Sequence, residues 1–303
     1  MDVYYHDLFT FPLPPKHRFP IQKYKLLRQR LVGEGVISEK DLHIPEPASD
    51  EQLMMVHTRG YLQKIKQGEL TKKEVRRMGF PWSLDLVERS RRSVGSTIAA
   101  CRSALKDKIA VSLAGGTHHA YPDHGQGFCV FNDVAVAVKV VQREKEADRI
   151  LIVDCDVHQG NGTAAIFKGE PRVFALSIHG AKNFPFHKEH SDLDIPLPDG
   201  TEDEGYLEAL EKGLAEAMNG FSADLVIYLA GADPHQKDRL GRLSLTKDGL
   251  ARRDRLVLGR CHQEGLPVAV VMSGGYGEDV HDTIDIHFQT VKFAAEMARN
   301  FDE

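Results

Sequence analysis

The stretch Ile150-Leu151-Ile152-Val153-Asp154-Cys155-Asp156-Val157-His158-Gln159-Gly160-Asn161-Gly162 constrains the fold more than any other. Its four leading apolar residues, three of them β-branched, predict a strand buried on both faces of a parallel sheet. Polar residues then follow at two-residue spacing, as Asp154, Asp156 and His158. In extended backbone that period puts all three side chains on one side of the chain. Two carboxylates and an imidazole past the C-terminal end of a buried strand stand where α/β proteins place ligand and metal chemistry. Gly160 and Gly162 then let the chain turn away tightly.

The rest of the chain supports a sheet of such strands. Val3-Tyr4-Tyr5 predicts a short first strand, the four prolines between Phe11 and Pro20 a loop, and residues 21–31 a helix stopped by Gly33 and Gly35. Ser49-Asp50-Glu51 opens a helix running toward His57, and Ser83 caps a long helix reaching Ala104. Between them, the basic run of Lys64, Lys66, Lys72, Lys73, Arg76 and Arg77 reads as a solvated helix face, with a substrate-rim patch as the alternative. From residue 109, strands at Ile109–Leu113, Ile150–Val153, Val173–Ser177, Leu225–Ala230 and Val268–Met272 alternate with helical patterns at 132–145, 162–168, 203–219 and 246–264. That βαβ rhythm predicts an α/β fold with a parallel sheet and helices on both faces.

Composition narrows the class. With 303 residues, 42% hydrophobic and 27% charged, the chain can bury a sizeable core and reads as one domain over 1–303. A net charge of −5 and a pI near 6.3 offer no case for nucleic acid or anionic membrane as the main partner. No apolar run approaches the ~20 residues of a membrane span, and Met1–Thr10 lacks the pattern of a signal peptide. Cys101, Cys129, Cys155 and Cys261 form no CxxC pair and suit the reduced thiols of a cytoplasmic protein.

Four strand ends point at one chemistry. Ile109–Leu113 runs into Gly115-Gly116-Thr117-His118-His119, Leu225–Ala230 into Gly231-Ala232-Asp233, and Val268–Met272 into Ser273-Gly274-Gly275-Tyr276. Asp156, His158 and Asp233 make a three-ligand set with a fourth position open for water, the plan of a catalytic zinc site. Such a metal acidifies water and polarises a carbonyl. His118 and His119 can move the protons, Asp154 can fix a histidine tautomer, and Tyr276 can donate to a developing oxyanion. Together these residues describe metal-assisted hydrolysis of an amide.

The segments Gly116-Thr117-His118-His119, Gly127-Phe128-Cys129-Val130-Phe131-Asn132-Asp133, Asp154 to Thr163, Gly231 to Gly241 and Gly274-Gly275-Tyr276 resemble, in order, the zinc-dependent histone deacetylase family. The Asp154–Gly162 core and the Ser273–Tyr276 ending look most like its class IV, deacetylase-11-like branch. The resemblance spans residues 1 to about 290 and implies the arginase/deacetylase fold, a three-layer α/β/α domain around a parallel sheet of about eight strands. It implies Zn²⁺ on Asp156, His158 and Asp233, with Tyr276 polarising the acyl carbonyl. His118 would pair with Asp154, and His119 would be the general base and acid. The partner position of His119 is Asn161, where many members place aspartate.

By the same resemblance Phe128 and Phe184 would line an acyl-lysine tunnel, Leu240 its rim, and Gly127 would offer its carbonyl to the substrate amide. Arg18 would lie near an internal product channel. A structural K⁺ would sit near Asp154, Asp156, His158, Ser177 and Ile178. The expected function is removal of acetyl or longer fatty acyl groups from lysine side chains of proteins or peptides. The alternative is deacetylation of small acetylated amines such as polyamines, which acidic residues at the mouth, among them Asp123, Glu189 or Asp192, would favour. A catalytically dead binding module would lack ligands that are all present here, and a dimanganese ureohydrolase would need more carboxylates. The small Gly115, Gly116 and Thr117 suggest room beyond the metal for a long acyl chain, unless Phe11, Phe19 or Tyr24 fills it.

Overall fold

The computed structural model describes residues 1–300. Eight strands form one all-parallel sheet: β1 (Asp2–Tyr4), β2 (Leu42–His43), β3 (Ile109–Ser112), β4 (Ile150–Asp154), β5 (Val173–Gly180), β6 (Leu193–Leu197), β7 (Leu225–Leu229) and β8 (Val268–Val271). Their spatial order is β2-β1-β3-β8-β7-β4-β5-β6. The chain crosses from β3 to β4, builds one edge, and returns with β7 and β8 to fill the gap. Reversal of this kind makes a switch point, where loops at the strand ends diverge and leave a crevice. The four strands with polar ends are therefore contiguous, β3-β8-β7-β4. Their residues are fully buried, which explains why they are apolar apart from Ser112 and the terminal Asp154.

The helices are α1 (Lys23–Gly33), α2 (Asp50–Leu53), α3 (Arg59–Gln67), α4 (Lys72–Met78), α5 (Leu84–Asp107), α6 (Asp133–Arg143), α7 (Asn161–Phe167), α8 (Asp203–Gly220), α9 (Lys247–Gln263) and α10 (Val280–Asn300). One face of the sheet carries α5, with α6 packed on it; the other carries α8, α9, α10 and α1 in succession. The result is a three-layer α/β/α arrangement. Ser83 caps α5 by accepting from the Leu86 N–H at 3.0 Å, as its position predicts.

Several elements differ from expectation. The helix opened by Ser49 ends at Leu53, and a second one, capped by Thr58, begins at Arg59. The edge strands β2 and β6 and the helix α10 have no counterpart in the sequence reading. β2 has only two residues, and β6 contains Pro196, which an edge strand tolerates because it need not donate there. Gly160 and Gly162 have no left-handed backbone. They are needed for close approach: a Cβ on Gly160 would lie 2.6 Å from Asp154 Oδ2, and one on Gly162 would lie 2.3 Å from the Ala120 carbonyl.

Candidate active site

The loops after β3, β4, β7 and β8 converge on one crevice. Among the described residues, Asp156, His158 and Asp233 form the group whose ligand atoms all lie within 4.8 Å of one another. His158 Nδ1 is 2.9 Å from Asp156 Oδ1 and 3.2 Å from Asp233 Oδ2. The outer oxygens are held by the fold. Asp156 Oδ2 accepts from Ser273 Oγ at 2.7 Å and from the Gly274 N–H at 2.8 Å, and Asp233 Oδ1 accepts from the Val157 N–H at 2.9 Å. Asp233 Oδ2 is buried with no hydrogen-bond donor. An orphaned carboxylate oxygen facing an imidazole nitrogen is costly unless a cation completes it. The donor set therefore fits a divalent metal, and two carboxylates with one imidazole suit zinc. Gly274 is required here, because a Cβ would lie 2.0 Å from Asp233 Oδ2.

Asp154 stands apart from this group. The strand ends at Asp154, so it turns toward the adjacent loop, and its Oδ2 accepts from His118 Nδ1 at 2.6 Å. His119 Nδ1 is 2.7 Å from Asn161 Oδ1. Asn161 Nδ2 in turn donates to Tyr121 Oη and Gln126 Oε1, at 3.2 and 3.0 Å, which fixes the amide orientation. His119 must then carry its proton on Nδ1, leaving Nε2 as a free acceptor.

The two histidines differ in charge. Burial alone would lower the pKa of His118, but the Asp154 and Asp156 carboxylates outweigh it and raise it to about 9. Burial holds His119 well below the usual range, reinforced by repulsion from His118 and His158; the neutral Asn161 offers little in return. Burial also opposes charge on His158, yet the Asp156 and Asp233 carboxylates beside its Nδ1 raise it to about 10.

A cavity of about 920 Å³ leads outward from His119, His158 and Tyr276 between Gly127, Phe128, Phe184 and Leu240. Gly127, Phe128, Phe184 and Leu240 thus line one cavity. Phe128 has a left-handed φ of 64°, a conformation held by its N–H donating to the Met78 carbonyl at 2.7 Å. Asp123, Glu189 and Asp192 do not line this cavity. Glu189 instead accepts from Tyr121 Oη at 3.1 Å, and Asp192 from the Ala175 N–H at 2.9 Å. The mouth carries Lys16, Arg18, Arg76, Arg77, Lys182 and Arg242. Of the six residues of the basic run, Arg76 and Arg77 therefore do reach the rim, while Lys64, Lys66, Lys72 and Lys73 stay off it.

Below Tyr276 lies a chamber of about 30 Å³, bounded by Phe19, Tyr24, Gly115, Gly116, Thr117 and Ser273. This is room for about one or two water-sized groups, so the expected extension for a long chain is closed. The glycines do not leave space: a Cβ on Gly116 would lie 2.5 Å from Ser273, and one on Gly115 would lie 2.6 Å from Asp133 Oδ2. Phe19 and Tyr24 fill the remainder, with the Phe19 ring 5.9 Å from that of Tyr276. Arg18 is at the outer mouth, so its expected inner place is corrected. The inner cation is Lys23, 2% exposed, whose Nζ donates to the carbonyls of Ser273 and Gly275 at 3.2 and 3.4 Å.

Three supports escape the sequence reading. Asp133 accepts from the Gly116 and Thr117 N–H groups at 3.0 and 2.7 Å and so holds the histidine loop. Asp238 accepts from the N–H groups of Tyr276, Leu240 and Gly241 at 2.6, 2.8 and 3.0 Å. Asp133 and Asp238 lie inside the recognised motifs, which was a usable signal. Lys23 offers none, since it reads as one more helix lysine.

Comparison with known proteins agrees with this geometry. The profile of the histone deacetylase domain matches residues 17–291. An uncharacterized protein of Picosynechococcus is 46% identical, over 94% of this chain and 95% of its own. Histone deacetylase 2 of Arabidopsis thaliana is 30% identical (89% and 72% covered), and the acetoin utilization protein AcuC of Bacillus subtilis is 32% identical (92% and 77%). The crystal structure of an HDAC homolog complexed with SAHA superposes with a TM-score of 0.83 at 25% identity, covering 97% of this chain and 83% of the other. The three-layer sheet is accordingly the arginase/deacetylase fold, and the chain belongs to the histone deacetylase family of hydrolytic deacetylases.

Proposed function

We propose that this protein is a zinc-dependent lysine deacylase that removes short acyl groups, acetyl above all, from lysine side chains of proteins or peptides. The observation that carries the reading is the buried Asp156, His158 and Asp233 set at the floor of a cavity whose walls hold His119 and Tyr276. When bound there, zinc supplies a Lewis-acid centre that polarises the acyl carbonyl and acidifies water. His119, neutral and with Nε2 free, takes a proton from the attacking water and returns one to the departing amine. His118, paired with Asp154 at 2.6 Å, is held in place behind it, and that carboxylate favours its charged form. The Tyr276 hydroxyl donates to the acyl oxygen as negative charge develops there. The Gly127 carbonyl takes the substrate N–H, and Phe128, Phe184 and Leu240 exclude water from the lysine stem.

Other parts of the reading have narrower support. A structural K⁺ held near Asp154, Asp156, His158, Ser177 and Ile178 is supported only by the register that pairs Asp154 with Ser177. Two carboxylates and an imidazole also accept Fe²⁺ or Co²⁺. The class IV likeness rests on the Asp154–Gly162 and Ser273–Tyr276 motifs. One sheet with a continuous core supports a single catalytic domain. Among the described residues no helix is long and apolar enough to cross a membrane, and four unpaired buried cysteines favour a reducing compartment such as the cytoplasm. Small cationic amines lack their expected recognition, since the mouth is lined by cations.

The test is hydrolysis of an acetyl-lysine peptide and of acetylspermidine, with and without a chelator. Peptide turnover that a chelator abolishes and zinc restores is expected. Turnover of acetylspermidine alone would replace lysine by the small-amine substrate.

A further inference from the structure

The mouth of the cavity inverts the charge of the molecule. The chain as a whole has a net charge of −5, yet Lys16, Arg18, Arg76, Arg77, Lys182 and Arg242 line the opening and no Asp or Glu does. These cations come from four separate segments: the loop before α1, helix α4, the turn after β5 and the loop after β7. All six are exposed. Arg242 pairs with Asp199 at 3.2 Å, and the other five have no ion-pair partner among the described residues. Elsewhere on this surface exposed arginines are commonly paired, as in Arg102–Glu144, Arg172–Glu170 and Arg143–Glu51. Unpaired like charges gathered by independent segments repel one another, so a ligand of opposite sign relieves a strain the free protein carries.

Two further features define the occupant. Phe186 is 82% exposed at the same opening, its ring 6.4 Å from that of Phe184 and perpendicular to it. The cavity, at about 920 Å³, is also far larger than one acylated lysine side chain. It has room for neighbours of that lysine and an aromatic ledge for their backbone.

We propose that the substrate is an acyl-lysine flanked, within a few residues, by acidic side chains. The inference rests on the deacylase reading and gives it a substrate class: acidic segments of proteins, as opposed to Lys/Arg-rich tails or polyamines. Arg76 and Arg77 are well placed for it. Their helix is tied to the tunnel by the Gly127 N–H donating to the Arg77 carbonyl at 3.2 Å, so the rim charges keep a fixed relation to the site where the acyl-lysine enters.

The experiment uses metal-loaded full-length protein and three matched acetyl-lysine peptides whose flanks are Asp/Glu, Gln/Ser or Lys/Arg. kcat/KM is expected to fall in that order by about tenfold or more at low salt, and the spread to collapse at ~500 mM salt, where the screening length is only a few ångströms. Arg76→Glu/Arg77→Glu should reverse the order. Lys72→Glu/Lys73→Glu, on the same helix but off the cavity, should keep it. Binding of the three peptides to Tyr276→Phe, measured by fluorescence anisotropy, separates the two readings. Hydrolysis with a flat or basic-favouring order overturns the acidic-substrate proposal and leaves the deacylase intact. Absence of hydrolysis with acid-ordered, rim-dependent binding keeps the mouth's selectivity and overturns the deacylase. Absence of both overturns both.

Discussion

The floor and the mouth of the cavity lie on one path but are built by opposite means. At the floor, Asp156, His158 and Asp233 follow directly on buried strands, and their oxygens are bound by backbone N–H groups and Ser273. Glycine at 274 and 116 is required there because a single added carbon would collide with the ligands or the facing backbone. At the mouth, the cations stand on loops and a short helix, exposed and mostly unpaired. Chemistry demands positions held to a fraction of an ångström, so it is placed where the sheet dictates geometry. Recognition tolerates looser positions, so it is placed where side chains can change without disturbing the core.

That contrast can be broken from the floor upward. Asp156→Ala or Asp233→Ala should remove one of three ligands, abolish bound metal by elemental analysis, and lower kcat/KM by about 10³ or more. A variant retaining both would show that the floor is not the metal site. Tyr276→Phe should cost on the order of 10²–10³ in kcat with metal content unchanged, since only the hydroxyl is lost and the Asp238 bond to its backbone remains. The small chamber predicts kcat/KM declining from acetyl to octanoyl to myristoyl on one peptide, by about tenfold or more overall. Phe19→Ala should flatten that profile. A myristoyl optimum in the native protein would show that Phe19 and Tyr24 move aside.

The smallest effect concerns stability. His57 is buried behind the histidine loop; its Nε2 accepts from the Asn132 N–H at 3.0 Å and its Nδ1 faces the Tyr121 carbonyl at 3.1 Å. Burial lowers its pKa from 6.5 to about 4. Between those values the unfolded chain binds the proton and the folded one does not, so stability falls as pH drops from 6.5 toward 4. The gap corresponds to on the order of 3 kcal/mol at most. Urea unfolding across that range should show a shallower pH slope for His57→Gln than for the native protein; equal slopes would mean that His57 is protonated in the fold.

Much of the floor was legible in the sequence because its signals are local. Mostly apolar runs of four to six residues followed by Asp, Gly or Ser-Gly mark buried strands with functional ends, and β3, β4, β7 and β8 all carry one. Their adjacency was not legible, because parallel pairing joins residues more than a hundred positions apart, as Ile109 and Val268. The short β2 and the proline-bearing β6 lack the run that identifies a strand. Gly115 and Gly116 illustrate a deeper limit. A missing side chain is equally consistent with open space and with a neighbour pressed close, and only the position of Ser273 and Asp133 decides between them. Lys23 likewise becomes legible only once Ser273 and Gly275 are beside it.

The irregular segment before α1 reaches both ends of the path. Lys16 and Arg18 face the opening, while Phe19 and Tyr24, the second residue of α1, close the inner chamber. Nine consecutive residues outside the sheet thus contribute both two of the six rim cations and two walls of the inner chamber. An exchange of residues 16–24 would therefore alter the inner chamber and part of the rim together, with the catalytic strand ends untouched.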